Sequence, residues 1–327
     1  MCDSRVARGA KIAVLSLALL AGPWLLGTYH LYLLNLVLVN IVIATGLNLL
    51  TGNAGQISMC HSSFMAIGAY ATTLLHLTGW LPFWVALPVG AVVAAAFGAC
   101  VGLPAIRLGG FYLALATLGF LEVMQVLIYE FPEVTGSVRG MMAPRPTVFG
   151  QPLTSDLSLY YPVLLITALM LYVARNVLRS PVGRAFNAVR NSEPAAQALG
   201  ISVARVKLAA FTLAAFYAGM GGGLYATVVG FIDPVEFGIW TSVRHITFIV
   251  VGGLGSLAGS VIGALVVTGL PEWLRRLQEY SDFVFGGLLL AFLIFMPQGI
   301  AGGWAQLRNR WRSGPTLELL ARAGPSR

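Results

Sequence analysis

Charged residues are scarce in this sequence. Of its 327 residues, 20 are Lys or Arg and 12 are Asp or Glu, so 10% of the chain is charged, against about 25% in an average soluble domain. Hydrophobic residues make up 57% of the chain. A water-soluble protein of this length needs more polar surface, so the composition excludes an ordinary soluble enzyme, a nucleic-acid-binding protein and a disordered chain. It indicates a protein whose main solvent is lipid.

Cysteine pairs and catalytic motifs are also missing. The three cysteines include no Cys-x-x-Cys pair, so neither a disulfide framework nor a cysteine metal site follows. None of the four histidines has a partner at metal-ligand spacing. The sequence contains no Gly-x-Ser-x-Gly, His-Glu-x-x-His or phosphate-binding loop. We therefore expect no enzymatic activity, no cofactor, no metal and no ATP hydrolysis by this chain itself.

Long hydrophobic runs dominate what is present. A membrane-spanning helix needs about 20 mostly apolar residues, and the runs predict an all-α, polytopic membrane bundle of about ten transmembrane helices, a single domain over residues 1–327. The eighth and ninth candidates form one Gly-rich run, 246–271, which we predict to be a helix pair broken at Gly252, Gly253 and Gly255. The candidate spans are 12–29, 31–50, 62–77, 82–103, 111–129, 159–174, 206–231, 244–253, 256–271 and 283–300.

The basic residues predict the orientation. With the N-terminus in the cytoplasm, ten spans place 15 of the 20 basic residues inside and 5 outside, as the positive-inside rule requires. The predicted cytoplasmic parts are the tail 1–11, the loop 175–207 and the tail 305–327, with Arg107 in a short loop. Merging the eighth and ninth spans would move the C-terminal arginines outside, which favours the broken pair.

A polar, flexible stretch at residues 45–58 lies between two spans. Gly52–Ile57 and Gly252–Leu257 share a Gly-x-x-Gly-polar-aliphatic pattern. Interrupted helices in internal repeats are typical of transporters, although two short motifs can also match by chance. Non-helical backbone at membrane depth survives where protein buries it or a polar path solvates it. We predict a path for a zwitterionic or uncharged polar solute, the alternative being a tight turn whose side chains cap helix ends. The predicted path residues are Asn48, Asn53, Gln56, Ser58, Gly252, Gly253 and Gly255.

The loop 175–207 predicts a short pair of amphipathic helices along the membrane face. Pro181 can begin a helix and Gly200 can end one. Glu193-Pro194 is predicted to be a turn or an N-cap before a run of small residues. Small residues allow another surface to approach closely, so the pair fits a docking site for a cytoplasmic partner. It also fits an inert interfacial helix.

Several of these segments, in order, resemble one family. From about residue 31 to 304 the chain is similar to the LivM-type permease subunits of branched-chain amino acid ABC importers. One departure is Ser137–Gly140, which stands where the family commonly has a Gly-rich outer stretch. The motifs that carry the resemblance are Gly46–Ser58, Phe64–Tyr70, Arg107–Leu118, Gly183–Ile201, Val251–Ser256 and Met296–Ile300.

The resemblance implies partners and roles. It implies a second, LivH-type permease, two cytoplasmic ATP-binding subunits and a periplasmic binding protein that delivers leucine, isoleucine or valine, with lipid around the bundle and no nucleic acid. A urea or short-amide permease is the alternative within the same pattern. A stand-alone secondary transporter is the rival class, and it is disfavoured because Glu122 is the only acidic residue inside a predicted span. The implied ATPase-coupling residues are Gly183, Arg184, Arg190, Glu193, Ala195, Ala196 and Gly200.

Overall fold

The computed structural model describes residues 21–148 and 151–274, together with 286–287, 299–300 and 302. The predicted tails, most of the last span and half of the first span lie outside these ranges, as does most of the Met296–Ile300 motif. The described part of the first predicted span is not one continuous α-helix. Gly22–Leu25 form a 3-10 turn that begins with Gly22 and Pro23, and Gly27 is extended. The prediction that this span runs to residue 29 is therefore wrong, because Pro23 lacks the N–H that a continuing helix needs.

Ten helices of six or more residues make up most of the described chain. In order they are α1 (Thr28–Leu47), α2 (His61–Leu77), α3 (Phe83–Ala105), α4 (Gly110–Glu130), α5 (Asp156–Arg179), α6 (Pro181–Asn191), α7 (Glu193–Ala198), α8 (Val203–Val229), α9 (Ile239–Gly252) and α10 (Leu257–Leu274). A π-helical turn, Asn48–Asn53, extends α1. Single helical turns lie at Pro132–Thr135, Ser137–Arg139 and Pro234–Phe237.

Five of these segments are long and apolar enough to cross a membrane: α1 with its π turn, α3, α4, α5 and α8. α9 and α10 are shorter apolar helices. Together with α2 they correspond to the second to ninth predicted spans, so the predicted break within 246–271 is confirmed. α5 is longer than predicted. Its polar end continues to Arg179, because a helix leaving the apolar layer can extend into water until Pro181 disfavours further α-helix.

α8 is the centre of the bundle and packs against α1, α2 and α3. Small residues allow this close contact. A β carbon on Gly219 would lie 2.6 Å from the Cβ of Ala94, and one on Gly222 would overlap the backbone carbonyl of Met65. Tyr217 is fully buried and donates its hydroxyl to the Met170 carbonyl of α5 at 2.8 Å. The Gly219–Gly223 cluster therefore serves helix packing.

The segments after α4 and α8 meet in short strands. β1 (Met141–Met142) pairs antiparallel with β4 (Phe231–Ile232), and β2 (Thr147–Val148) with β3 (Gln151–Pro152). In the divergent Ser137–Gly140 stretch, the Ser137 hydroxyl donates to the Tyr129 carbonyl at 2.8 Å. This bond ties the turn to the end of α4.

The first predicted interruption begins later than its polar composition indicated. Helical backbone continues through Asn48–Asn53 because the Ala54 N–H bonds the Leu49 carbonyl five residues back, at 3.1 Å. Leu49 and Leu50 are fully buried, so this turn belongs to the core. A π turn of this kind widens the helix locally and re-aims its side chains.

Candidate functional site

Two helix interruptions, far apart in sequence, lie against each other. The first interruption of α-helix is the π turn Asn48–Asn53 with the non-helical stretch Ala54–Cys60 after it, and the second interruption is Gly253–Ser256, between α9 and α10. Gly253 and Gly255 have φ values of 122° and 80°, a region that favours glycine. A β carbon on Gly52 would overlap the Gly255 backbone nitrogen. The two Gly-x-x-Gly motifs of the sequence therefore meet in space, and glycine is required at their contact.

Asn48 joins the two interruptions. Its Oδ1 accepts a hydrogen bond from the Gly255 N–H at 2.8 Å, and its Nδ2 donates to the Ser256 carbonyl and to the Ser260 hydroxyl, each at 2.8 Å. The side chain is 1% exposed. A buried amide whose donors and acceptor are hydrogen-bonded stabilises the fold. The same buried groups without partners would lower the free energy of unfolding. Asn53 adds a longer bond from Nδ2 to the Gly255 carbonyl, 3.4 Å.

Arg190 connects helix α6 to this contact. Its guanidinium donates through Nη1 to the Gly52 carbonyl. A β carbon on Gly55, whose φ is 71°, would lie 3.2 Å from the Arg190 Cα, and one on Gly255 would lie 2.8 Å from Nη1. A single side chain of the predicted coupling segment thus reaches both interruptions. We call Asn48, Gly52, Gly255 and Arg190 the junction.

Most of the chain matches a known family. A family model described as branched-chain amino acid transport system / permease component matches residues 29–293. The chain belongs to this family. The LivM-type resemblance is confirmed, because the chain is 35% identical over 313 residues to the high-affinity branched-chain amino acid transport system permease protein LivM of Escherichia coli K12, covering 88% of this chain and 73% of that relative.

Other relatives belong to the same kind of transport system. The permease protein LivH of Escherichia coli K12 is 27% identical, with 80% of this chain and 90% of the relative covered. The permease protein BraD of Pseudomonas aeruginosa is 28% identical, with coverage of 80% and 91%. No solved structure matches the chain. The family match and the five long apolar helices together identify the chain as a multi-pass membrane permease.

The four polar path residues of this permease are buried and bonded within the protein. Besides Asn48 and Asn53, Gln56 is 5% exposed and donates to the Ala54 carbonyl at 3.3 Å, and Ser58 is 1% exposed with its hydroxyl 3.4 Å from the Cys60 sulfur. None of these four side chains lines the cavity of about 420 Å³ between α1, α9 and α10. Their role in a path stays a prediction, and their contacts favour holding the interruptions together.

The predicted amphipathic helix pair is present as α6 and α7. Ser180 caps α6, its hydroxyl accepting from the Val182 N–H at 3.2 Å, and Pro181 is the first helical residue. Ser192 caps α7 by accepting from the Ala195 N–H at 3.3 Å. Glu193-Pro194 was predicted to be a turn or cap, but both residues lie inside the first turn of α7, because proline is tolerated there.

The apolar face of the pair is turned inward. Phe186 and Val189 are 0% and 2% exposed and pack in a core cluster with residues of α3 and α8. The predicted coupling residues divide accordingly. Gly183 is buried, with its Cα close to the Leu178 backbone, and Ala196 is buried. The exposed members are Arg184, Arg190, Ala195 and Gly200, with Glu193 half-buried.

An ion pair ties α7 to α8. Lys207 Nζ lies 2.8 Å from Glu193 Oε1, and the two side chains are 3% and 42% exposed. A buried ammonium needs such a partner. Glu193 therefore has an internal role in addition to any contact with a partner.

Sequence reasoning missed several of these residues. The capping serines carried a local signal, since Ser180-Pro181 and Ser192-Glu193-Pro194 are typical helix starts. No local sequence signal marks Ser256, Ser260 or Lys207, because their partners lie in other helices and are brought close only by the fold.

Proposed function

We propose that this permease is one of two different transmembrane subunits of an ATP-driven inner-membrane importer for leucine, isoleucine and valine. The observation that carries the proposal is the similarity to LivM over 88% of the chain. The named relatives LivM, LivH and BraD are all components of branched-chain amino acid systems, which favours these solutes over urea. The chain is also similar to LivH-type permeases, which supports a second, related permease as its partner.

In this proposal the permease is a single transmembrane domain with both termini in the cytoplasm. Two ATP-binding subunits bind the 175–207 segment, and a periplasmic binding protein delivers the solute to the other side. ATP binding favours one conformation because the ATPases contact α6 and α7 differently in the two states. The junction supports this, since Arg190 on α6 touches the Gly52 carbonyl directly. A displacement of α6 therefore acts on both interruptions.

The proposal is tested with the complete importer in liposomes. The two permeases, the ATPases and the binding protein are reconstituted, and uptake of radiolabelled leucine is measured. We expect leucine uptake to require both ATP and the binding protein. Excess isoleucine or valine should compete with leucine, whereas urea should not. Leucine uptake by the permease alone, driven by an ion gradient, would instead establish a secondary transporter. Competition by urea would establish the other substrate class.

A further inference from the structure

A cavity of about 420 Å³ lies between α1, α9 and α10, away from the junction. Its volume is in the range of about 300–1,000 Å³ that is usual for small-molecule sites. Most of its wall is apolar, from Leu33 and Leu36 of α1, Phe248 of α9 and Val267 of α10. Such a wall suits a hydrocarbon side chain, and the few polar groups in it then decide what else can bind.

The charged side chains of the cavity come from α9 and the turn before it, while Asn40, Tyr225 and Thr268 add neutral polar groups from other helices. Thr241, Arg244 and His245 share the face of α9 that also carries Phe248, at the i, i+3, i+4, i+7 spacing of an amphipathic helix. Glu236 joins them from the turn Pro234–Phe237. The cavity thus presents one guanidinium and one carboxylate above an apolar floor.

Glu236 and Arg244 have no charged partner among the described residues. In the parts of the chain that the structure describes, the ion pairs are Arg145–Asp156 and Lys207–Glu193. Glu236 and Arg244 make neither an ion pair nor a side-chain hydrogen bond there. Opposite charges that line one cavity without bonding each other remain available to a ligand that carries both signs.

His245 is a second and independent sign of a ligand position. Its side chain is 2% exposed and lines the cavity, yet its Nδ1 has no hydrogen-bond partner among the described residues. The ring packs edge-on against His61, with centroids 5.7 Å apart, and tilted against Phe248 at 5.8 Å. A buried polar atom left unpaired is costly and calls for an occupant such as a ligand or water.

We propose that this cavity is a binding site for the zwitterion of an aliphatic α-amino acid inside the permease. Arg244 binds the carboxylate and Glu236 binds the ammonium group. The Thr241 and His245 side chains provide polar contacts next to them, and the α1 and α10 wall receives the hydrocarbon side chain. The assignment rests on the proposed function, since it takes the aliphatic amino acids as the transported class.

The site is tested by photolabelling in the complete importer. The reconstituted complex is supplied with a diazirine analogue of leucine through its binding protein and illuminated, and the labelled peptides are identified by mass spectrometry. In the wild type we expect label on the peptides of α9 and α10. Arg244→Gln and Glu236→Gln should each lower this label about tenfold, as expected for loss of a charge-assisted hydrogen bond.

Matched controls remove the same charges elsewhere. Arg139→Gln and Glu133→Gln change exposed residues of the same predicted outer side, outside the cavity wall, and should label as the wild type does. ATP hydrolysis stimulated by loaded binding protein reports that each variant is folded and assembled. Label outside the cavity, or undiminished label in both cavity variants, would overturn the site. If the wild-type complex still takes up leucine, the proposed function stands. A wild-type complex that takes up no leucine would overturn the proposed function and the site with it.

A change of cavity size gives a readout that a merely structural residue would not. Val267→Phe adds bulk to the apolar wall. We expect leucine and isoleucine uptake to fall more than valine uptake, with a ratio change of about fourfold, the effect of the one methylene group by which each exceeds valine. Equal loss for all three amino acids would contradict the assignment of this wall to the hydrocarbon side chain.

Discussion

Asn48 and Gly255, 207 residues apart in sequence, are joined by a hydrogen bond of 2.8 Å from the Gly255 N–H to the Asn48 side chain. The bond links the π turn of α1 to the break between α9 and α10. Arg190 contacts the same place from α6. The two interruptions and α6 thus meet at the junction, so a displacement of one of them changes the contacts of the other two.

Asn48→Leu tests the stabilising role of the amide. The substitution leaves the Gly255 N–H, the Ser256 carbonyl and the Ser260 hydroxyl without this partner, at about 1–3 kcal/mol for each buried group left unsatisfied. We expect a lower thermal unfolding midpoint of the purified permease, measured by intrinsic fluorescence. Asn187→Leu, on the exposed side of α6, is the control and should unfold as the wild type does. An unchanged midpoint for Asn48→Leu would contradict the role.

Gly52→Ala tests the close contact of the interruptions. The added methyl group would overlap the Asn48 amide and the Gly255 nitrogen, and overpacking of this kind costs about 1–3 kcal/mol. We expect reduced stability and reduced leucine uptake. Gly119→Ala in α4 is the matched control, because its methyl group meets nothing within 4 Å; it should be neutral or stabilising by about 0.5–1 kcal/mol. If both variants behave alike, the contact is not tight.

Arg190→Gln tests transmission from α6. Removal of the guanidinium breaks the contact with the Gly52 carbonyl, and we expect ATP-driven leucine uptake to fall about tenfold, the effect of one charge-assisted hydrogen bond. ATP hydrolysis by the assembled complex should continue. Arg107→Gln, another exposed basic residue of the predicted cytoplasmic side, is the control. Uptake and hydrolysis that fall together would indicate lost assembly rather than lost transmission.

Glu193→Ala tests the ion pair between α7 and α8. It leaves the Lys207 ammonium buried without its partner. A fully buried pair would lose about 3–5 kcal/mol, and because Glu193 is partly exposed, screening reduces the expected loss to about 1–3 kcal/mol. The double variant Glu193→Ala, Lys207→Met should recover stability in the thermal unfolding assay. A double variant less stable than the single one would rule out this explanation.

Cysteine labelling tests the predicted orientation. Val138, 82% exposed, lies on the predicted outer side, and Asn187 lies on the predicted cytoplasmic side. In a variant without the native cysteines, a membrane-impermeant maleimide should label Val138→Cys in spheroplasts and Asn187→Cys only after lysis. The reverse pattern would invert the topology and move the 175–207 segment away from any cytoplasmic ATPase.

Much of the fold follows from the sequence because each spanning helix is a local property. A run of apolar residues is enough to predict a span, and α3, α4 and α8 lie within a few residues of their predicted bounds. The break at Gly252–Gly255 was predicted from its glycines and from the distribution of basic residues between the two sides of the membrane. The π turn was not, because the polar composition of Asn48–Asn53 indicates a loop, whereas burial of Leu49 and contacts with the second interruption keep it helical.

The sequence alone determined that this protein is a multi-pass membrane permease, where its helices run and that two Gly-rich motifs interrupt them. The tertiary structure decided that these interruptions meet at Asn48 and Gly255, that Arg190 reaches them, and that Glu236 and Arg244 line one cavity. Hydrophobicity acts residue by residue along the chain, so it can be read in sequence order. Contacts between residues some 200 positions apart depend on how whole helices pack, and no local pattern encodes that.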